Sequence, residues 1–254
     1  DRIGKATVPT KAGEVLYAYA SRLLSLYEET ETAMAEFLGT IRGRLTVGGS
    51  TIPAGYILPK LIGSFLGQYQ NVQISLNSGD TEQVILDILE YRLELGIVGA
   101  QTDRKRIAQT ELIRDDMRLI VPADQRWGNL KNITIEQLFD EPFVIREIGS
   151  GTLKSLQNSL SKIGKTPRAL NAVAEFGSTA SVIQGIKNGV GVSILSPIAV
   201  ADDLAAGTLK ALKVKGLDLS RYFYLTTHRD RTPSPLCEAF IEFIRKQYGL
   251  DQVV

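Results

Sequence analysis

Apolar and small residues in the first 43 positions recur at steps of three and four, the spacing of a helix with a heptad seam. The seam consists of Val15, Tyr19, Leu23, Leu26, Thr30, Met34, Phe37 and Ile41, and a second row of Leu16, Ala20, Leu24 and Tyr27 widens it. A helix of about 30 residues is roughly 45 Å long, too long and one-sided to bury alone on a small domain. The pattern predicts a dimerisation helix over residues 11–43. An amphipathic helix packed on its own domain is the alternative.

From residue 44 onward, short apolar runs typical of strands alternate with amphipathic helical segments. Residues 45–47, 72–76 and 95–98 have strand character, and the run at 95–98 is apolar throughout, which is typical of a buried parallel strand. The same rhythm restarts after Pro122. Such alternation predicts mostly parallel sheets covered by helices. We therefore expect an α/β protein with two consecutive Rossmann-like lobes.

Three strand-to-helix junctions carry nearly the same short sequence: Gly49-Ser50-Thr51, Gly149-Ser150-Gly151-Thr152 and Gly177-Ser178-Thr179. The free N–H groups and the dipole at a helix start favour an anion or a polar oxygen. Ligands of open α/β sheets bind beyond the carboxyl ends of the strands. Because the first junction belongs to one lobe and the others to the second, we predict a small polar or anionic ligand between the lobes, with Ser50 facing Ser178.

The predicted ligand contacts are the hydroxyl groups of these junctions, one close backbone approach and one cation. They are Ser50, Thr51, Ser150, Thr152, Ser178, Thr179, Gly99 and Arg146. Arg146 suits bidentate pairing with a carboxylate or sulfate. The alternatives are that each hydroxyl only caps its helix, worth about 1 kcal/mol, and that Arg146 forms an inter-lobe salt bridge with Glu147 or Asp80. Asp115 and Asp116 are predicted to be solvated in a turn between strands.

Composition narrows the function further. With one His, one Cys and a net charge of +1, the 254-residue chain offers little for a zinc site, a nucleophile–base pair or bulk attraction to nucleic acid. No apolar run has the length of a membrane span. We therefore expect no metal, no cofactor, no enzymatic activity and no membrane contact. The single Cys237 fits a reducing compartment, so we expect a cytoplasmic protein.

Several segments occur in the order found in LysR-type transcriptional regulators, which the chain resembles over essentially its whole length. They are residues 1–14, 43–50 and 95–99, Arg146 with residues 149–152, and residues 189–196. The first of these is similar to the family's wing and the start of its linker helix, and the second to the entry into its sensor. No single segment is specific, but their order and spacing are.

The resemblance implies two lobes of the type II periplasmic-binding-protein kind behind a linker helix. Residues 1–10 would be a remnant of the winged-helix DNA-binding domain and 11–43 the linker. Lobe I would comprise 44–121 and 222–254, and lobe II 122–221. The family's recognition helix precedes the wing, so we expect operator DNA to be bound only by the full-length protein.

The resemblance further implies a small-molecule effector and assembly into a dimer or tetramer. The sequence at residues 49–53 is similar to the sulfur-assimilation branch, which favours sulfate or an acetylated amino acid as effector. A free-standing bilobed solute-binding receptor is the alternative function, because it would share the same two lobes.

Overall fold

A long helix precedes the two lobes in the computed structural model, which describes residues 2–3, 6–7, 9–37 and 41–250. Two short strands, β1 (Arg2–Ile3) and β2 (Ala6–Thr7), pair antiparallel before helix α1 (Lys11–Phe37). The Thr10 hydroxyl accepts a hydrogen bond from the Gly13 N–H (3.0 Å) and caps α1. Residues 1, 4, 5 and 8 of the predicted wing remnant and 38–40 of the predicted linker lie outside the described residues.

The apolar seam of α1 faces away from the lobes. Val15, Tyr19 and Leu23 are 58%, 61% and 69% exposed. Arg22, which lies outside the seam, contacts the first lobe: its guanidinium carbon is 4.8 Å from the ring centroid of Tyr91. The seam is therefore available to a second helix.

The elements of the lobes follow in chain order. The first lobe begins with β3 (Gly43–Ser50), a π-helix (Pro53–Ile57), α2 (Leu58–Leu66), β4 (Val72–Gly79), α3 (Thr81–Leu89), β5 (Leu95–Val98) and β6 (Ile107–Asp116). The second contains β7 (Arg118–Pro122), β8 (Asn132–Ile133), α4 (Ile135–Asp140), β9 (Pro142–Arg146), α5 (Gly151–Ser161), β10 (Asn171–Phe176), α6 (Thr179–Lys187), β11 (Ser193–Leu195), α7 (Ala201–Ala205) and β12 (Leu209–Val214). The chain ends its described part with β13 (Ser220–His228) and α8 (Pro235–Gln247).

The first lobe is built on a five-stranded sheet of order β4-β3-β5-β13-β6. Strand β3 runs parallel to β4 and β5, whereas β13 is antiparallel to both β5 and β6. In the second lobe, β11, β7, β12 and β8 form one sheet, and β9 pairs in parallel with β10. The Val144 N–H donates to the Val192 carbonyl (2.8 Å), which joins β9 to the segment that leads into β11.

The α/β prediction is confirmed, but the expectation of mostly parallel sheets is wrong. The chain crosses between the lobes twice, and a strand that returns must run against the strand that left. Hence β13 is antiparallel to β6, and β12 is antiparallel to β7.

The two crossovers lie side by side, where the Met117 N–H donates to the Leu219 carbonyl (3.2 Å). The sequence placed the first crossover after residue 121, but β7 already pairs with strands of the second lobe. Similarly, β13 begins at Ser220 in the sheet of the first lobe, two residues before the predicted boundary. Both differences follow from strand pairing, which local pattern does not reveal.

Buried aromatic rings fix the helices of the first lobe. Phe65 of α2 is fully buried and meets Phe240 and Phe243 of α8 edge-on, with ring centroids 4.9 and 5.4 Å apart. Such aromatic pairs stabilise by about 0.5–1.5 kcal/mol beyond their burial. Cys237 is fully buried on the same helix. Among the helices of the described ranges, none is long and apolar enough to cross a membrane.

Candidate functional site

Four helical segments begin at one interlobe cleft. In lobe I they start at Thr51, directly after β3, and at Thr81 in α3; in lobe II they start at Gly151 in α5 and Thr179 in α6. Because the dipole places positive partial charge at each helix start, their convergence favours an anion in the cleft.

Three of these helices are capped by the residue before them. The backbone N–H groups of Gln83, Leu153 and Ser181 donate to Asp80 Oδ1 (2.7 Å), Ser150 Oγ (3.5 Å) and Ser178 Oγ (3.0 Å). Ser178 Oγ also lies 2.9 Å from Ser181 Oγ, so its hydroxyl is engaged within its own helix.

Arg146, at the end of β9, links the two lobes through threonine hydroxyls. Its Nη1 donates to Thr179 Oγ1 (2.8 Å) and lies 3.4 Å from Thr51 Oγ1. The two hydroxyl oxygens are 3.2 Å apart, although one belongs to each lobe. Arg146 is only 2% exposed. The pair that meets across the cleft is therefore Thr51 and Thr179, rather than the predicted Ser50 and Ser178.

The charge of Arg146 is balanced by its neighbour in sequence. Its Nε and Nη2 donate to the two carboxylate oxygens of Glu147 at 2.7 and 2.6 Å. The sequence offered Glu147 as an alternative partner of Arg146 in a salt bridge between the lobes. The salt bridge is present, but both residues belong to lobe II, so it does not join the lobes. It is bidentate, the strong form of arginine–carboxylate interaction.

A second buried arginine faces the same cleft, and the sequence did not single it out. Arg221 Nε, at the start of β13, donates to Asp115 Oδ2 (2.8 Å), and Nη1 lies 3.4 Å from Thr152 Oγ1. The Ser196 hydroxyl donates to the other oxygen of Asp115 (2.8 Å). The prediction that Asp115 is a solvated turn residue is wrong, because it is 2% exposed and lies in β6 directly opposite Arg221. Opposite charges on facing strand positions were the available signal.

Arg221 and Thr81 keep polar atoms without partners in the described structure. Arg221 Nη2 and Thr81 Oγ1 are fully buried and make no hydrogen bond, and both residues line the cleft. Burial lowers the pKa of Arg221 from its usual value, Asp115 opposes this, and the charge of Arg146 lowers the pKa further. An arginine nevertheless stays protonated in proteins. The cleft therefore contains a positive group with hydrogen atoms left to donate.

The cleft is narrow in this conformation. Its free volume is about 10 Å³, roughly the space of one water molecule. A neighbouring cavity of about 260 Å³ shares Thr81, Ser150 and Gly151 with the cleft and is also lined by Gln101, Ile148 and Lys154. A ligand larger than water must either separate the lobes or extend into this cavity.

The predicted contact residues divide into three groups. Ser50, Thr51, Gly99, Arg146, Ser150 and Thr152 line the cleft. Thr179 reaches it through its hydrogen bonds to Arg146 and Thr51. Ser178 does not line it and caps α6. Asp80, Thr81 and Arg221 line the cleft without having been predicted as contacts. Within the described ranges, no three His, Cys, Asp or Glu side chains are grouped so as to hold a metal ion.

Comparison with known proteins shows which family has this sequence pattern. A model of the LysR substrate binding domain matches residues 39–249. A probable RuBisCO transcriptional regulator of Nostoc sp. (strain PCC 7120) is 28% identical over 98% of this chain and 75% of the relative. An HTH-type transcriptional regulator of Methanocaldococcus jannaschii is 30% identical over 93% of this chain and 80% of the relative.

Solved structures share the fold. The regulatory domain of Synechocystis CcmR, determined in complex with 2-PG, has a TM-score of 0.73 at 24% identity and covers 81% of this chain and 97% of that chain. CbnR, a LysR family transcriptional regulator, has a TM-score of 0.70 at 17% identity and covers 94% of this chain and 81% of that chain. The predicted bilobed architecture is thereby confirmed. The chain belongs to the LysR family of transcriptional regulators, and residues 39–249 form the family's substrate-binding domain.

Proposed function

We propose that this chain is the anion-sensing and oligomerisation part of its regulator and that it binds a small anionic effector between the two lobes. One observation carries the proposal: four helix N-termini and two buried arginines meet at a single cleft. Dipoles and guanidinium groups act in the same direction there, because both favour negative charge.

The proposed contacts are the hydroxyls of Ser50, Thr51, Ser150, Thr152 and Thr179 and the close backbone at Gly99. Arg146 lies between Thr51 and Thr179 and joins the two walls of the cleft. Ser178 joins the site through the N-terminus of α6, which it caps. Since Thr51 and Thr179 belong to different lobes and lie in hydrogen-bonding distance, an effector held between them would change the balance between open and closed lobes.

The choice of first probes comes from proteins with the same fold. CcmR was solved with 2-PG and the effector-binding domain of QuiR with shikimate. Both compounds are anions at neutral pH, as is sulfate, which the sequence favoured. The likeness to the sulfur-assimilation branch itself stays a prediction.

Isothermal titration calorimetry with 2-PG, shikimate and sulfate tests the proposal. We expect at least one of these probes to bind the wild-type chain. Its affinity for the Thr51→Val and Thr179→Val variants should be lower. Thr110→Val is the matched control, since Thr110 is an exposed residue of β6 that does not line the cleft. Binding that Thr51→Val and Thr179→Val leave unchanged would contradict the proposed site.

The oligomerisation part of the proposal rests on α1. We propose residues 1–10 as a remnant of the winged domain and α1 as the part of the predicted linker 11–43 that pairs with a second copy. The described helix ends at Phe37, and Gly43 already belongs to β3 of the first lobe. The exposed apolar seam supports this pairing. In analytical ultracentrifugation, Leu23→Glu should dissociate the oligomer, whereas Leu130→Glu, on the surface of lobe II, should not. An oligomer that survives Leu23→Glu would show that the seam is not the interface.

Family membership favours a regulator over a free-standing solute-binding receptor, because the relatives described above are transcriptional regulators. We extend this to a non-enzymatic protein of the cytoplasm whose operator binding belongs to the full-length protein. Incubation of the chain with each probe should leave the probe chemically unchanged, as followed by NMR.

A further inference from the structure

The two arginines of the cleft differ in how many of their N–H groups already donate hydrogen bonds to the protein. Arg146 donates from Nε and Nη2 to Glu147 and from Nη1 to Thr179. Arg221 donates from Nε to Asp115, makes one long contact to Thr152, and leaves Nη2 without a partner. Arg146 is thus held by protein groups on all three nitrogens, whereas Arg221 retains free donors in a buried position.

Thr81 adds a second unsatisfied group on the same cleft. Its hydroxyl oxygen is buried and has no hydrogen-bond partner. An unpaired buried polar group is costly, and native proteins rarely keep one that has no partner in any state. Two such groups on one cleft of about 10 Å³ indicate that a polar ligand atom belongs between them.

Asp115 fixes Arg221 toward the cleft rather than cancelling its role. The carboxylate is held on its other oxygen by Ser196. The Arg221 guanidinium carbon also lies 4.8 Å from the ring centroid of Phe223, so the side chain is held by an aromatic ring as well. A guanidinium positioned in this way has little freedom to lose when a ligand binds.

We propose that the oxyanion group of the effector binds Arg221 Nη2 together with the hydroxyls of Thr81 and Thr152. Arg146 instead holds the closed lobes together through its contacts with Thr51 and Thr179. This assignment rests on the anion-sensing function proposed above. It reverses the expectation from the sequence, in which Arg146 was the cation for the ligand. The rest of a small organic acid extends from Arg221 into the cavity of about 260 Å³, which shares Thr81 with the cleft.

The test measures dissociation constants for sulfate, inorganic phosphate and acetate, which carry the oxyanion alone, and for 2-PG. For the tightest of these probes, we expect Arg221→Lys to bind about ten-fold or more weakly, because lysine keeps the charge but lacks the guanidinium fork. Thr81→Val should bind about three- to ten-fold more weakly through the loss of one hydrogen bond.

Two control variants match these changes. Arg114→Lys alters an exposed arginine of β6 that pairs with Asp116 (3.4 Å), and Thr110→Val alters an exposed threonine of the same strand. Both should bind with wild-type affinity. If Arg221→Lys unfolds because Asp115 loses its partner, its affinity is uninformative. In that case Thr81→Val tests the assignment alone, since Thr81 Oγ1 has no partner in the described structure to lose.

The outcomes separate this assignment from the proposed function. Wild-type affinity in both Arg221→Lys and Thr81→Val, with loss of binding in Arg146→Gln, overturns the assignment and leaves the anion site in place. If no oxyanion probe binds the wild-type chain, both the assignment and the anion-sensing function are refuted.

Discussion

Gly151 begins α5 of the second lobe at a point where the first lobe lies directly against it. A Cβ atom added there would be 2.8 Å from Thr81 Oγ1, 3.1 Å from the Gly99 carbonyl carbon and 3.3 Å from Gly99 Cα. The Thr81 hydroxyl can rotate away. The Gly99 backbone follows β5 and cannot do so without disturbing the sheet. Gly151→Ala should therefore push the two lobes apart by steric contact.

The size of the effect follows from these distances. Carbon atoms prefer a separation of about 3.5–4.0 Å, so the Gly99 backbone and residue 151 must separate by roughly 0.4 Å or more. Overpacking of this kind costs about 1–3 kcal/mol. Because the contact joins two lobes connected by paired crossovers, opening relieves the clash without deforming either core. A penalty of this size lowers the equilibrium constant between closed and open lobes by about 5- to 150-fold.

Small-angle X-ray scattering and calorimetry with the tightest anion probe measure this change. We expect a larger radius of gyration and weaker binding for Gly151→Ala. Gly177→Ala is the control, since a Cβ at this junction of the same lobe meets no atom within 4 Å. If Gly151→Ala has the scattering and the affinity of the wild type, the lobes do not depend on this close approach and the reasoning is refuted.

Three further predictions concern single contacts. Thr179→Val removes the acceptor of the Arg146 Nη1 hydrogen bond (2.8 Å), so a double-mutant cycle with Arg146→Met should give a coupling energy of about 1.5–3 kcal/mol in chemical denaturation; additive effects would exclude the bond. Burial lowers the pKa of His228, the chain's only histidine, so the unfolded state takes up its proton first and stability should fall as pH drops below about 6.5. Urea unfolding at several pH values should show a smaller decrease for His228→Gln, and an equal decrease would contradict this. Gly191→Ala places Cβ 2.4 Å from the Pro142 carbonyl oxygen, so the free energy of unfolding should fall by about 3 kcal/mol and the melting temperature should fall with it; an unchanged melting temperature would show that β9 can shift.

The helix starts of the site were readable from the sequence because capping is local. Ser150 and Ser178 each accept from the backbone three residues ahead, as the Gly-Ser junctions predict. The long helix was equally readable, since its seam repeats over several turns. The fold class followed from the alternation of strand-like and helix-like segments.

The partners across the cleft were not readable, because they depend on residues far apart in the chain. Thr51 and Thr179 are 128 positions apart, and Asp115 and Arg221 are 106 apart. In the sequence, Asp115 stands beside Asp116 and looks like a surface pair. Only the return of β13 along β6 places Arg221 opposite it and buries both charges.

By itself, the sequence determined which residues begin helices, which runs form strands and which helix carries an unpaired apolar face, because these depend on spacing within a few residues. The tertiary structure decided which lobe each strand joins, which hydroxyls meet, and which arginine keeps donors free. The physical reason is that the double crossover sets strand direction and register, and these fix which distant side chains share one buried cleft.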